Sequence, residues 1–267
     1  MPAHFRKLVR RLDEEYQALA RGYAEESLHQ FRILLRRLRS LLRHDTSRKV
    51  RKLRCQLGKL ARTTNTARDW DTLLSRARAT LSPPDFVRVQ PLLEARQLES
   101  HLPVLDMLRS ERWPQARHAL KKIIKAHGAA LAGDLRSDAE LCWARGRVSR
   151  AWRVVQDSGT DRAWHKLRIT LKDLRYRLKT LPAHQRTTSI DTALALSKRL
   201  QQSLGVWHDS VVHAQHVQQL CDRAEVQAQP ELQDILRTWC QQMQRQAQDA
   251  LDSASADMTA NGEVLHN

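Results

Sequence analysis

The chain has 267 residues, a formal net charge of +17 and an isoelectric point near 10.5. That length suits one large domain or two small ones with a substantial core. The charge costs self-repulsion unless a polyanion relieves it, which sets nucleic acid, an anionic lipid surface or a polyphosphate-like polymer ahead of neutral small ligands. No apolar run approaches the ~20 residues of a membrane span, and the N-terminus, alternating apolar and basic residues, lacks a signal-peptide core. Cys55, Cys142, Cys221 and Cys240 form no CxxC pair, which speaks against a zinc ribbon or redox motif and for reduced, mostly buried thiols. The expectation is a cytoplasmic protein with no membrane partner.

In chain order, Leu8, Leu12, Tyr16 and Leu19 predict a first helix from about His4 to Arg21, stopped at Gly22. Ser27 is the expected cap of the next, whose stretch from His29 to Arg43 organises the whole reading. At roughly 100° per residue, His29, Arg32, Arg36, Arg39 and Arg43 fall within an arc of about 80°, while Phe31, Leu34, Leu35, Leu38, Leu41 and Leu42 centre on the opposite side. One face is a core face and the other a cationic strip. It is some 21 Å long with a positive side chain about every 5 Å, a geometry that suits an extended polyanion. Ser47 opens a further helix with Val50, Leu53, Leu57 and Leu60 on one side and Arg51, Lys52, Lys59 and Arg62 on the other. After Thr63-Thr64-Asn65-Thr66, the motif Ala67-Arg68-Asp69-Trp70-Asp71 starts a helix that runs to about Leu81.

Ser82-Pro83-Pro84-Asp85 is the clearest break. Short helices are expected over Phe86–His101 and Pro103–Glu111, then a basic helix from Pro114 to Leu131 with Leu120 and Ile123 in register. The boundary near Leu131 to Leu135 divides the chain into 1–133 and 134–256, followed by a flexible tail over 257–267. A helix over Leu135–Val155 ends at Asp157-Ser158-Gly159-Thr160-Asp161, which caps the next.

That next helix, to a stop at Pro182, repeats the strip. His165, Arg168, Lys172, Arg175 and Lys179 stand 136 positions after their counterparts, with Leu167, Leu171, Leu174 and Leu178 facing away. A repeat of this length indicates a duplicated half-domain. Ser189 to Leu204 follows, then Gly205-Val206-Trp207-His208-Asp209 as a turn into a helix reaching Arg223. A last helix runs from Glu231 to about Leu251, and the small, polar residues from Ser253 onward are expected to fray. No stretch alternates with period two, so the fold class is all-α, each half carrying enough amphipathic helices for a four-helix bundle.

With His29-x-x-Arg32-x-x-x-Arg36-x-x-Arg39, its echo from His165 to Arg175-Tyr176, and the turn motifs Ala67-Arg68-Asp69-Trp70-Asp71 and Leu204-Gly205-Val206-Trp207-His208-Asp209, the chain resembles the CHAD domain, the conserved histidine α-helical domain. The resemblance covers nearly the whole chain. It implies two pseudo-symmetric four-helix bundles around a basic central cavity, and binding of inorganic polyphosphate. The implied binding residues are His29, Arg32, Arg36, Arg39 and Arg43, then His165, Arg168, Lys172, Arg175 and Lys179, with Lys52, Lys59, Arg62 and Arg199 as additions. The chain departs from the family pattern at Thr64-Asn65, where Leu-Gly is usual, at Trp207-His208, where Leu-Asn is common, and at Asp173, which matches Arg37.

The chemistry favours the same ligand. Arginine offers a permanent charge and forked donors to phosphate oxygens. Two strips of one sign are unlike solvated helix faces, which mix signs as i,i+4 pairs. Single-strand nucleic-acid binders interleave aromatics with the basic residues. Only Tyr176 is near a strip, Trp70, Trp152 and Trp164 fall at core positions, and no helix-turn-helix is visible, so nucleic acid is expected to bind only non-specifically. A metal-dependent polyphosphate or triphosphate hydrolase needs metal-holding carboxylates, and there is no ExExK signature. Asp69 and Asp209 are read as caps or arginine partners, and His208, His213 and His216 lack a recognised ligand pattern. The expectation is a binding protein with no catalytic residue, metal or cofactor, possible on polyphosphate granules, with a general nucleic-acid scaffold as the other alternative.

Overall fold

A computed structural model of the chain describes residues 3–42, 47–127, 138–181 and 185–265. They are helical, with no strand among them. The chain divides into two compact units, 1–133 and 134–267. The expected boundary segment from Leu131 to Leu135, residue Arg43 and the stop at Pro182 lie outside the described residues.

In the first unit, α1 (Ala3–Arg21) packs on α2 (Glu25–Leu41), α3 (Arg48–Thr63) on α6 (Arg112–His127), and α4 (Asn65–Thr80) on α5 (Pro83–Arg109). Each helix turns its leucine stripe inward. Leu12, Leu28, Phe31, Leu35, Leu38, Leu57 and Leu120 have no exposed surface. Tyr16, Phe31 and Trp113 meet at ring distances of 6.0–6.4 Å, and the Trp113 indole N–H donates to Asp13 at 3.2 Å.

Several local expectations change. Helix α2 starts at Glu25 with Ala24 as its cap, so Ser27 lies inside the helix. Ser47 does cap α3, accepting from the Val50 N–H. Pro83 and Pro84 open α5, where a missing N–H costs nothing. Pro91 and Pro103 do not divide it into short helices. Both point to solvent, and packing of Val89, Leu93, Val104 and Met107 into the core carries the helix through two missing backbone hydrogen bonds.

The second unit comprises α7 (Asp138–Ser158), α8 (Asp161–Thr180), α9 (Thr188–Cys221), a single turn α10 (Ala224–Gln227), α11 (Pro230–Asn261) and a 3-10 turn over Gly262–Leu265. Gly159, with φ 57°, takes the left-handed conformation that ends α7, and Thr160 caps α8 through the Ala163 N–H. The turn expected at Gly205 is absent. α9 runs unbroken through it because Leu204 and Trp207 on either side are buried and hold the helix to the core. The tail does not fray at Ser253 either. α11 continues to Asn261 because Ala254 and Met258 fall on its buried face, and Leu265 closes the core behind them. The Arg145 guanidinium, itself buried, donates to the Val264 carbonyl at 3.1 Å.

Candidate functional site

Helix α2 sinks Leu28, Phe31, Leu34, Leu35 and Leu38, which leaves His29, Arg32, Arg36 and Arg39 on its other side. Arg32 is held in place by its surroundings: its guanidinium donates to the Ala61 carbonyl at 3.2 Å, to Thr64 Oγ1 at 2.6 Å and to Asn65 Oδ1 at 2.9 Å. The Thr64-Asn65 departure from the family pattern thus receives an arginine at the break between α3 and α4. Thr64, fully buried, donates its own hydroxyl hydrogen bond to the Ala61 carbonyl at 2.8 Å. Leu204-Gly205, at the matching place in the second turn motif, offers no such acceptors, and the helix there does not break.

Arg39 lies over Gly58, where a Cβ would come within 3.3 Å of Arg39 Nη2. The glycine gives the guanidinium a flat seat on α3. The strip is electrostatically crowded. Burial and then Arg68 pull the His29 imidazole below its ordinary value, Arg36 and Arg32 add to this, and Glu26 opposes it. Burial and then Arg36 lower Arg32, against the pull of nearby Asp69. Arg36 is lowered by desolvation in this crowd and then by Arg68, although its side chain still reaches solvent. Like charges held this close favour any anion that enters between them.

Helix α8 repeats the plan, with Leu167, Leu171, Leu174 and Leu178 fully buried. His165, Lys172 and Lys179 are exposed, and Arg168 and Arg175 are half-buried. Arg175 donates to Gln201 Oε1 at 2.6 Å, and the Gln201 amide in turn donates to the Leu171 carbonyl at 3.3 Å, so α9 orients the guanidinium. Asp173, the acidic residue within the span of this strip, is engaged elsewhere: it meets Arg147 at 3.2 Å and Arg177 at 3.6 Å. The His208 ring centroid lies 5.4 Å from that of His165. Burial, then Arg168, His165 and Lys172 lower His208, with Asp209 opposing. His165 is lowered by burial, Arg168 and Lys172.

Two members of these clusters are missing from the set that the sequence suggests. Arg68 acts on His29 and Arg36 from the start of α4, and His208 stands by His165 from the middle of α9. Both immediately precede the Asp of a turn motif, which is the signal that finds them. Neither aspartate is a cap. Asp69 lies beyond the first turn of α4, and Asp209 is inside α9.

The added residues are placed differently from the strips. Lys52, Lys59 and Arg62 line hollows between α3 and α6. Arg199 spends its charge on Asp257, with nitrogen–oxygen distances of 3.2 and 3.4 Å. Among the described residues no three His, Cys, Asp or Glu side chains stand close enough to hold a metal ion, and no helix is long and apolar enough to cross a membrane. The four thiols are free, but only Cys221 and Cys240 are buried. Cys55 and Cys142 are exposed, because both fall on the outer faces of their helices.

A model of the CHAD domain matches residues 3–218. Two uncharacterized proteins from two strains of Mycobacterium tuberculosis are each 28% identical over 209 residues. The alignments cover 74% of this chain and 41% of each relative, so the chain spans less than half the length of the curated relatives it matches. The crystal structure of the CHAD domain from the plant Ricinus communis superposes with a TM-score of 0.74 at 21% identity, covering 98% of this chain and 89% of that one. That similarity shows a shared fold.

Proposed function

The chain belongs to the CHAD domain family, and from that premise we propose that it binds inorganic polyphosphate through the His-led strips of α2 and α8 without breaking the polymer. The observation that carries this reading is the pair of crowded cationic faces, each with a histidine, and on α2 also arginines, held below ordinary proton affinity by burial and by one another. A linear phosphate polymer supplies a row of negative charges to match a row of cations spaced by helical turns. The seats on Gly58 and Gln201 orient Arg39 and Arg175 before any ligand arrives, which spares part of the cost of ordering long side chains on binding. In the full reading the two units are pseudo-symmetric, and the protein works in the cytoplasm on polyphosphate granules.

The test is binding of long-chain polyphosphate at two salt concentrations to the wild type and to an Arg36→Ala/Lys172→Ala/Lys179→Ala variant. These side chains are exposed, so the fold is spared. A variant lacking Lys7, Arg11 and Arg237 controls for net charge. Charge-assisted phosphate contacts contribute about 1.5–3 kcal/mol each, so the strip variant is expected to lose well over tenfold in affinity and the control much less. Equal losses would reduce the attraction to bulk charge. Gel analysis of the polymer after incubation with Mg²⁺ or Mn²⁺ is expected to show unchanged chain length, and shortening would establish a hydrolase instead.

A further inference from the structure

Helices α3 and α6 form a surface that the strips do not use. Between them lie two consecutive hollows of about 520 and 490 Å³ that meet at Gln56. The first has Lys49, Lys52 and Lys122 around Leu53, Ala119 and Ile123. The second has Lys59, Arg62 and Arg112 around Leu60. At roughly 100° per residue, Gln56, Leu60 and Thr63 lie on the flank of α3 opposite Gly58 and Ala61, which face Arg39 and Arg32. The groove and the α2 strip are therefore on different sides of the same helix.

Two features define its occupant. First, α3 carries seven Lys or Arg residues and α6 five, and neither helix has an acidic residue. Second, the first hollow has an apolar floor of Leu53, Ala119 and Ile123, the second sets Leu60 among Gln56, Thr63 and Gln115, and the aliphatic stems of the lysines form apolar walls below their charged ends. A bare phosphate polymer would satisfy the rim and leave the floor wet. An occupant that satisfies both carries apolar side chains for the hollows and carboxylates for the rim. The repeat along the groove sets the spacing. Leu53 and Leu60, like Lys52 and Lys59, are one heptad apart, about 10.5 Å along α3, which matches residues i and i+7 of a helix lying in a groove.

We propose that the α3–α6 groove docks an acidic amphipathic helix of a partner protein, with an apolar residue in each hollow and its acidic flanks against Lys49, Lys52 and Lys122 on one side of Gln56 and Lys59, Arg62 and Arg112 on the other. This makes the first unit a two-faced adaptor, with a strip for a polyanion on one flank of α3 and a protein-docking groove on the other.

The test uses a fluorescein-labelled 18-residue peptide with leucines seven residues apart on one face and glutamates flanking them. A control peptide has the same composition but leucines on opposite faces. Both are titrated by anisotropy against the full chain at physiological salt. The facial peptide is expected to bind at least tenfold more tightly than the control. Lys49→Glu/Lys122→Glu is expected to remove that advantage while the unfolding transition stays in place. The strip variant Arg36→Ala/Lys172→Ala/Lys179→Ala is expected to keep peptide affinity within twofold, so failure of the polyphosphate reading leaves this test intact. Equal binding of both peptides, no effect of the groove variant, or a parallel loss in the strip variant would overturn the proposal.

Discussion

His101 Nε2 lies 3.0 Å from Oδ1 of Asp71, a carboxylate with none of its surface exposed. An ionised carboxylate only accepts, so this imidazole nitrogen carries the proton. The Gln97 amide donates to the same oxygen at 3.0 Å, and the Tyr23 hydroxyl donates to Oδ2 at 2.7 Å. Tyr23 stacks on His101 at 3.6 Å. Burial and this bond push the Tyr23 phenol far above its ordinary value. The segment between α1 and α2 is thereby tied to α4 and α5 behind the first strip. Asp71→Ala takes the acceptor from the buried His101 and the half-buried Tyr23, while the Gln97 amide keeps Glu25 Oε1 at 3.0 Å, and the expected cost is about 3 kcal/mol. Urea unfolding checks it, and a loss below 1 kcal/mol would show that the network is dispensable.

Arg199 illustrates how a cation can be present and yet contribute little. Its pairing with Asp257 means that Arg199→Ala is expected to change polyphosphate affinity less than twofold. Asp257→Asn, which frees the guanidinium, is expected to raise it by about twofold to fivefold, the range of a surface ion pair of roughly 0.5–1 kcal/mol. Isothermal titration of both variants decides this. A large loss in Arg199→Ala would mean that the pair opens to the ligand.

The histidines give binding a pH dependence of known sign. His29, His165 and His208 are all held below their ordinary value in the free protein, so at pH 6.5 more than half of each is neutral. A bound polyanion favours their charged forms, and protons are taken up. Affinity is therefore expected to rise as pH falls from about 7.5 toward 5.5. Titrations at pH 6 in buffers of different ionisation heat are expected to report net proton uptake, vanishing at pH 8. For the free protein the sign is opposite: the unfolded chain binds more protons below about pH 6.5, so these groups lower stability as pH falls through that range. Proton release on binding would contradict the placement of these histidines beside the polymer.

The C-terminal helix offers a stability test. Met258 is 2% exposed and Leu265 is fully buried. Met258→Ala is expected to cost about 2–4 kcal/mol, and truncation after Asp252 is expected to remove cooperative unfolding of the second unit, measured by thermal melts followed at the tryptophans. A truncated chain with an unchanged melt would restore the expectation of a frayed end.

Periodicity alone places α2 and α8, because the angle between a leucine and an arginine on one helix is fixed by their separation in the chain. For the same reason the arcs from His29 to Arg39 and from His165 to Lys179 are legible in the amino-acid order itself. Helix ends are less so. Pro91, Pro103 and Gly205 weaken a helix locally, but whether it breaks depends on what the flanking residues bury, and Val104, Leu204 and Trp207 bury enough to hold it. The polar tail beyond Ser253 reads as frayed because the side chains that reach the core, Ala254, Met258 and Leu265 among them, are few and widely spaced.

Which residues are cationic, and which face of each helix carries them, follow from chemical type and chain separation alone. Which charges remain available to a ligand depends on contacts made across the folded chain. Arg199 found Asp257, Asp173 found Arg147 and Arg177, Arg32 was oriented with its charge unspent by the neutral Thr64 and Asn65, while Arg68 and His208 were brought to the strips from other helices. Most of these pairings join residues tens of positions apart, and a charge's partner is set by distance in space, which helical periodicity does not encode.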